Sequence, residues 1–170
     1  MEVEKAIKTA IDYESKVRDV YADAVKNTRS EIAKRVFQKL ADEEQRHIDY
    51  LKSRLTEWRN TGLISCEKLR TIIPGKKAIE EGVKKLEDRM KEADRFGEVQ
   101  MLNKALDVEI ETSSFYKEMV NRLEDEPQKM FKRFLEIEEG HLALVQAEID
   151  SITGTGFWFD FQEFNLEAEG

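Results

Sequence analysis

Apolar residues recur along the chain at the three-to-four-residue spacing of a buried helix face, and they do so in four long stretches. Ile7, Ile11, Val17, Tyr21 and Val25 share one face of a first predicted helix, which the polar run from Lys26 to Ser30 should end. Ser30 suits an N-cap, and the stripe of Ala33, Phe37, Leu40, Leu51 and Leu55 behind it predicts a second helix over residues 30 to 58. Met101, Ala105, Thr112, Tyr116, Met119 and Leu123 predict a third. Pro127 fits a first helical turn, and Phe131, Phe134, Val145 and Ile152 continue from it as a fourth.

The last two patterns repeat the first two at residue level. Ala10-Ile-Asp-Tyr-Glu14 matches Ala105-Leu-Asp-Val-Glu109, and Tyr21 matches Tyr116, all at an offset of 95. Phe37, Glu44 and His47 match Phe131, Glu138 and His141 at an offset of 94, so the halves differ by one residue in the connecting turn. Two equivalent hairpins joined by a connection too long for a tight turn predict an all-α fold. Its form would be an antiparallel four-helix bundle with one long crossover between helices two and three. The expected organisation is a single domain over 1–170, with a first hairpin at 1–58, the crossover at 59–97, a second hairpin at 98–153 and an aromatic C-terminal tail at 154–170. Residues 76–93 of the crossover, KKAIEEGVKKLEDRMKEA, are helix-prone. In the tail Phe157, Phe159 and Phe161 alternate in a strand-like way beside Trp158, with Phe164 beyond, and so aromatic a segment should be covered by the bundle or by a second subunit.

Composition narrows the class. Charged residues make up 38% of the chain and hydrophobic ones 40%, with only 2 Pro and 8 Gly, which excludes turn-rich β folds and collagen-like chains and favours helices. The net charge of -8 leaves no broad electrostatic footprint for nucleic acid. No apolar run is long enough to span a bilayer, so no membrane partner is expected. The N-terminus lacks the apolar core of a signal peptide and Cys66 stands alone, which together predict a cytoplasmic, reducing location.

Four residues break the packing pattern. Glu14, Glu44, Glu109 and Glu138 stand in the middle of otherwise apolar stripes, where an ionised carboxylate needs a partner. The chain has 2 His, and each of them, His47 and His141, lies three residues after one of these glutamates, one helical turn along the same face. Four carboxylates and two imidazoles converging on the bundle axis match the known template of a dinuclear carboxylate site, one Glu from each of two helices and a Glu-x-x-His from each of the other two, in which two divalent cations would balance four negative charges. Oxygen donors with imidazole suit iron or manganese and tolerate zinc.

In these motifs the sequence resembles the ferritin-like superfamily of di-iron and di-manganese carboxylate proteins, and within it the rubrerythrin and bacterioferritin types. The resemblance rests on Glu14, Glu44-Gln-Arg-His47, Glu109 and Glu138-Glu-Gly-His141, and covers residues 1–58 and 98–153. It implies that Glu14 and His47 are terminal ligands of one iron and Glu109 and His141 of the other, with Glu44 and Glu138 bridging. Tyr21 and Tyr116, seven residues beyond the helix-one and helix-three glutamates, resemble the tyrosines that support the ligands in rubrerythrins. Two features depart from the usual rubrerythrin pattern. The four cysteines of a rubredoxin module are missing, so electrons are expected from an external donor such as a rubredoxin or a reductase. Thr112 occupies the place of an additional helix-three carboxylate, and Glu111 points away from it.

The resemblance thus implies a non-haem di-iron oxidoreductase, concerned with oxidative stress, that reduces hydrogen peroxide or dioxygen. The alternative is ferroxidase or iron-handling work of the bacterioferritin type. A non-catalytic helical binding bundle would leave the four core carboxylates unexplained. The aromatic tail and long crossover lead us to expect a homodimer or larger homo-oligomer.

Overall fold

The computed structural model describes residues 2–65, 69–71, 73–85, 91–92, 95–155 and 157–158. The protein is all-α, as the periodicity predicts. Helix α1 covers Glu2–Asn27 and α2 covers Glu31–Thr61, a short α3 covers Lys76–Lys85, and α4 (Arg95–Arg122) and α5 (Asp125–Thr155) form the second hairpin. Ser30 caps α2 by accepting a hydrogen bond from the Ala33 amide through its side chain. At the other end Gly62 adopts a left-handed φ of 69° and donates its amide to the Trp58 carbonyl. That cap carries α2 through Arg59 and Asn60 to Thr61, beyond the expected end at 58. The second hairpin likewise starts at Arg95, three residues before the expected boundary.

α1 packs along α2 and along α4, and α4 along α5, while α3 lies against α5. Each of the four long helices contributes to two separate apolar clusters. One gathers Val17, Tyr21, Phe37, Leu40, Ala105, Leu144 and Val145, and the other gathers Ile7, Ala10, Leu51, Tyr116, Phe131 and Phe134. The layer between them holds the acids and imidazoles, so the apolar clusters clamp the polar layer from both ends.

The crossover departs from expectation in one respect. Residues 76–93 do not run as one helix: Lys91 and Glu92 form a two-residue strand, β1, pairing antiparallel with Phe157–Trp158, β2, in the register Lys91↔Trp158 and Glu92↔Phe157. A ladder partner from the tail overrides the local helix preference there. Trp158 is fully buried and meets Phe37 edge-on at 5.6 Å, so this part of the tail is covered by the chain's own bundle. Its indole N–H donates to Glu98, whose carboxylate also accepts the Thr28 hydroxyl at 2.8 Å. Cys66 and tail residues 159–170, with Phe159, Phe161 and Phe164, lie outside the described residues.

The other end of the crossover is pressed onto α5. A Cβ on Gly140 would stand 2.8 Å from the Pro74 carbonyl oxygen, closer than packed atoms tolerate, whereas one on Gly154 would meet nothing within 4 Å. Gly140→Ala is therefore expected to cost about 1–3 kcal/mol as the crossover backbone is pushed off α5. Gly154→Ala, relieved of glycine's entropy cost in a helix, should be neutral or gain up to about 1 kcal/mol. Thermal melts of the two variants side by side check this, and equal melting temperatures would reject it.

Candidate metal centre

The helical repeat brings all six expected residues to one place. Glu14, Glu44, His47, Glu109, Glu138 and His141 are all fully buried at mid-bundle, one glutamate each from α1 and α4 and a Glu-x-x-His pair each from α2 and α5. Their ligand-type atoms form two overlapping groups of four, Glu14, Glu44, His47 and Glu138 in one and Glu44, Glu109, Glu138 and His141 in the other, each within 4.8 Å. Glu44 and Glu138 belong to both. The two imidazoles lie parallel, 5.6 Å apart with 7° between their planes. His47 Nδ1 stands 3.4 Å from Glu44 and 3.5 Å from Glu14, and His141 Nδ1 stands 2.9 Å from Glu44, 3.5 Å from Glu109 and 3.7 Å from Glu138.

The tyrosines brace this cluster crosswise. Tyr21 on α1 donates its hydroxyl to Glu109 on α4 at 2.6 Å, and Tyr116 on α4 donates to Glu14 on α1. Each half's phenol thus holds the other half's outer carboxylate. Thr112 spends its hydroxyl on the Val108 carbonyl at 2.8 Å, and Glu111 pairs with Lys16 at the surface, so neither joins the centre.

Matched to protein families, residues 5–149 fit the rubrerythrin model. The chain belongs to the rubrerythrin family. No curated protein and no solved structure matches. The matched span holds all six clustered residues and both tyrosines of this rubrerythrin-family chain, and stops short of the β2 segment with Trp158.

The donor set suits metal ions. Both oxygens of Glu44 and of Glu138, one oxygen each of Glu14 and Glu109, and Nδ1 of both histidines are buried without a hydrogen bond among the described residues. Buried carboxylate oxygens in that condition require a cation or a proton beside them. Hard oxygen donors with two imidazoles fit a pair of divalent first-row ions.

One polar residue of the site escapes the sequence pattern. Glu43 is fully buried, and one of its oxygens lies 2.5 Å from Nε2 of His141 while the other accepts the Thr71 hydroxyl at 2.6 Å. The signal was in the repeat: at an offset of 94 the counterpart of Glu43 is Ile137, itself buried, so an acid occupies a place that the other half keeps apolar.

Protons balance the charge when no metal does. Burial opposes ionisation of Glu14, yet the adjacent Glu44 and the nearby His47 outweigh it and bring the carboxyl down to about 2. Glu109 is lowered in the same way, burial being outweighed by Glu138, His141 and Tyr21. For Glu44, burial and the charge of Glu14 act together and push the carboxyl up to about 8. Burial and the charges of Glu109, Glu14 and Glu44 raise Glu138 well above the carboxylate range. Burial would lower His47, but Glu14 and Glu44 dominate and lift it to about 10. His141 rises well above its ordinary value by the same contest with Glu138, Glu44 and Glu109. Glu43 is brought down to about 2 as well, burial being outweighed by His141, His47 and Thr71, so three carboxylates then stay charged against two imidazolium rings.

These shifts set the pH dependence. Groups raised in the folded state hold protons that the unfolded chain has already lost, so stability falls as pH rises through the folded values, about 8 for Glu44 and about 10 for His47. Metal-free protein should therefore melt progressively lower from about pH 7 to about pH 10. A divalent ion replaces those protons, so the gain in melting temperature on adding Mn(II) should widen across the same window. Calorimetric melts with and without metal test this; a gain that is flat or shrinks with pH would contradict it.

Proposed function

We propose that this rubrerythrin-family chain is a di-iron oxidoreductase that reduces hydrogen peroxide with electrons from an external donor. The observation that carries the reading is the enclosed set of four carboxylates and two imidazoles in two overlapping groups, on a chain of this family. Glu14 and His47 would hold one iron, Glu109 and His141 the other, and Glu44 and Glu138 would lie between them. Bound iron would supply two electrons by passing from ferrous to ferric, the number needed to take one peroxide to two waters.

The chain's own residues set the conditions for that reduction. The apolar clusters on either side keep bulk water out of the polar layer. Tyr21 and Tyr116 anchor one oxygen each of Glu109 and Glu14, and the second oxygen of each is buried without a hydrogen bond among the described residues. Burial, reinforced by the neighbouring glutamates, raises both phenols well above their ordinary range, so they remain protonated donors. Return of electrons is assigned in this reading to a separate donor, since Cys66 cannot build a four-thiolate iron site within these 170 residues.

Iron handling, with Fe(II) as substrate, is the second reading, and Thr112 favours it. The hydroxyl there is tied to the helix backbone, and the donor set is therefore the symmetric one of six.

Metal analysis of anaerobically loaded protein should find two ions per chain, and Glu44→Ala or Glu138→Ala should lower both occupancies together, since each residue belongs to both groups. A single ion held by one half alone would overturn the shared-bridge arrangement. In stopped-flow oxidation of the reduced protein, peroxide should react faster than dioxygen, with turnover only when a donor is supplied. Faster reaction with dioxygen, with release of Fe(III), would shift the assignment to iron handling.

A further inference from the structure

We propose that Glu43 is a positioning residue that makes the two halves of the centre unequal, orienting His141 so that the Glu109–His141 half takes its metal ion first and more tightly. The inference rests on the metal-centre reading above and adds an order of loading to it.

Glu43 is held from two sides. One oxygen faces Nε2 of His141 at 2.5 Å, and the other accepts the Thr71 hydroxyl at 2.6 Å with the Arg46 guanidinium 3.8 Å away. Thr71 is itself fixed, since its hydroxyl oxygen accepts the Ile73 amide at 3.1 Å. A carboxylate accepting the Nε2–H of an imidazole fixes the tautomer that leaves Nδ1 free for a metal ion, holds the ring angle and raises the basicity of Nδ1. Nδ1 of His141 is the atom that faces Glu44, Glu109 and Glu138.

The other half lacks this device. At the matching position stands buried Ile137, and Nε2 of His47 has no hydrogen-bond partner among the described residues. The edge-to-face contact of His47 with Phe134 at 5.6 Å restrains its ring without selecting a tautomer. Six donors arranged by a near-perfect repeat thus carry one asymmetric support: the Glu43 carboxylate lies within 4.8 Å of ring nitrogens of both histidines, but it hydrogen-bonds that of His141 alone.

The test is an anaerobic titration of metal-free, full-length protein with Co(II), followed by calorimetry and visible absorption. Two resolved binding steps are expected. Glu43→Gln should weaken the first by about 10- to 100-fold and leave the second unchanged, because loss of a supporting carboxylate acts on the imidazole it orients. A merely structural role would weaken both steps alike. Thr71→Val removes only the brace on Glu43 and should give a smaller loss on the same step, which keeps the test alive should Glu43→Gln fail to fold. Two steps of equal affinity in the unmodified protein, or equal weakening of both by either variant, would overturn the inference while leaving the metal centre standing. Absence of any Co(II) binding would bring down the metal-centre reading itself.

Discussion

Four carboxylates and two imidazoles buried in the middle of a helical bundle are the constraint on which the rest of this molecule depends. Ionised groups withdrawn from water cost several kcal/mol apiece unless opposite charge is close at hand. The four helices must therefore deliver acids and bases to the same layer in register, and hold them there against mutual repulsion. The two apolar clusters above and below that layer supply the holding force, and aromatic rings form much of its walls. Phe134 touches His47, Tyr116 and Tyr50, and Phe37 backs Tyr21 and Trp158. Rigid packing at the walls lets charged atoms sit within a few ångströms of one another without collapsing into simple pairs.

The internal repeat explains the economy of the arrangement. A near-twofold relation between hairpins places a glutamate, a tyrosine and a Glu-x-x-His in each half, and brings the phenol of one half against the acid of the other. Because Tyr21 serves Glu109 and Tyr116 serves Glu14, neither outer carboxylate is positioned by its own hairpin alone. The polar layer is thus also an interlock between hairpins. Loss of register in one would unseat the carboxylate of the other, which ties folding of the bundle to assembly of the site.

Much of this was legible because it repeats or has helical period. The six clustered residues stand out as charges in apolar stripes, and the matching offsets of 95 and 94 separate them from ordinary surface acids. What escaped is what occurs once. Glu43 looks like one more acid in an acidic helix until the repeat sets it against Ile137. Glu98 is hidden in the same way, since its counterpart at an offset of 95 is Val3 and its partners, Thr28 and Trp158, lie far from it in sequence. For the β1–β2 pair the signal was one-sided, because the strand-like alternation beginning at Phe157 marked β2 while Lys91–Glu92 favour a helix until the tail supplies a ladder. The end of α2 lies three residues beyond the expected 58, where Gly62 caps it in a left-handed conformation that the apolar stripe does not register.

The single-copy features share a location, and that gives the crossover more than a connecting role. Pro74 is packed against the bare Cα of Gly140, between Glu138 and His141, and Thr71 grips the carboxylate that reaches His141. Ile73 and Ile79 add buried side chains to the apolar cluster on that side. The α2–α5 face of the centre is therefore sealed by a connection, whereas on the α1–α4 side Tyr13 stacks on Phe115 at 5.1 Å. A helix wall can change only within the limits of helix packing and repeat register. A connection is freer to change, and here it adds to the departure from the twofold relation by holding, through Thr71, the carboxylate that hydrogen-bonds one imidazole and not the other. The asymmetry of the centre thus has two parts, an acid in α2 where its counterpart in α5 is Ile137, and the crossover residue Thr71 that holds that acid in place.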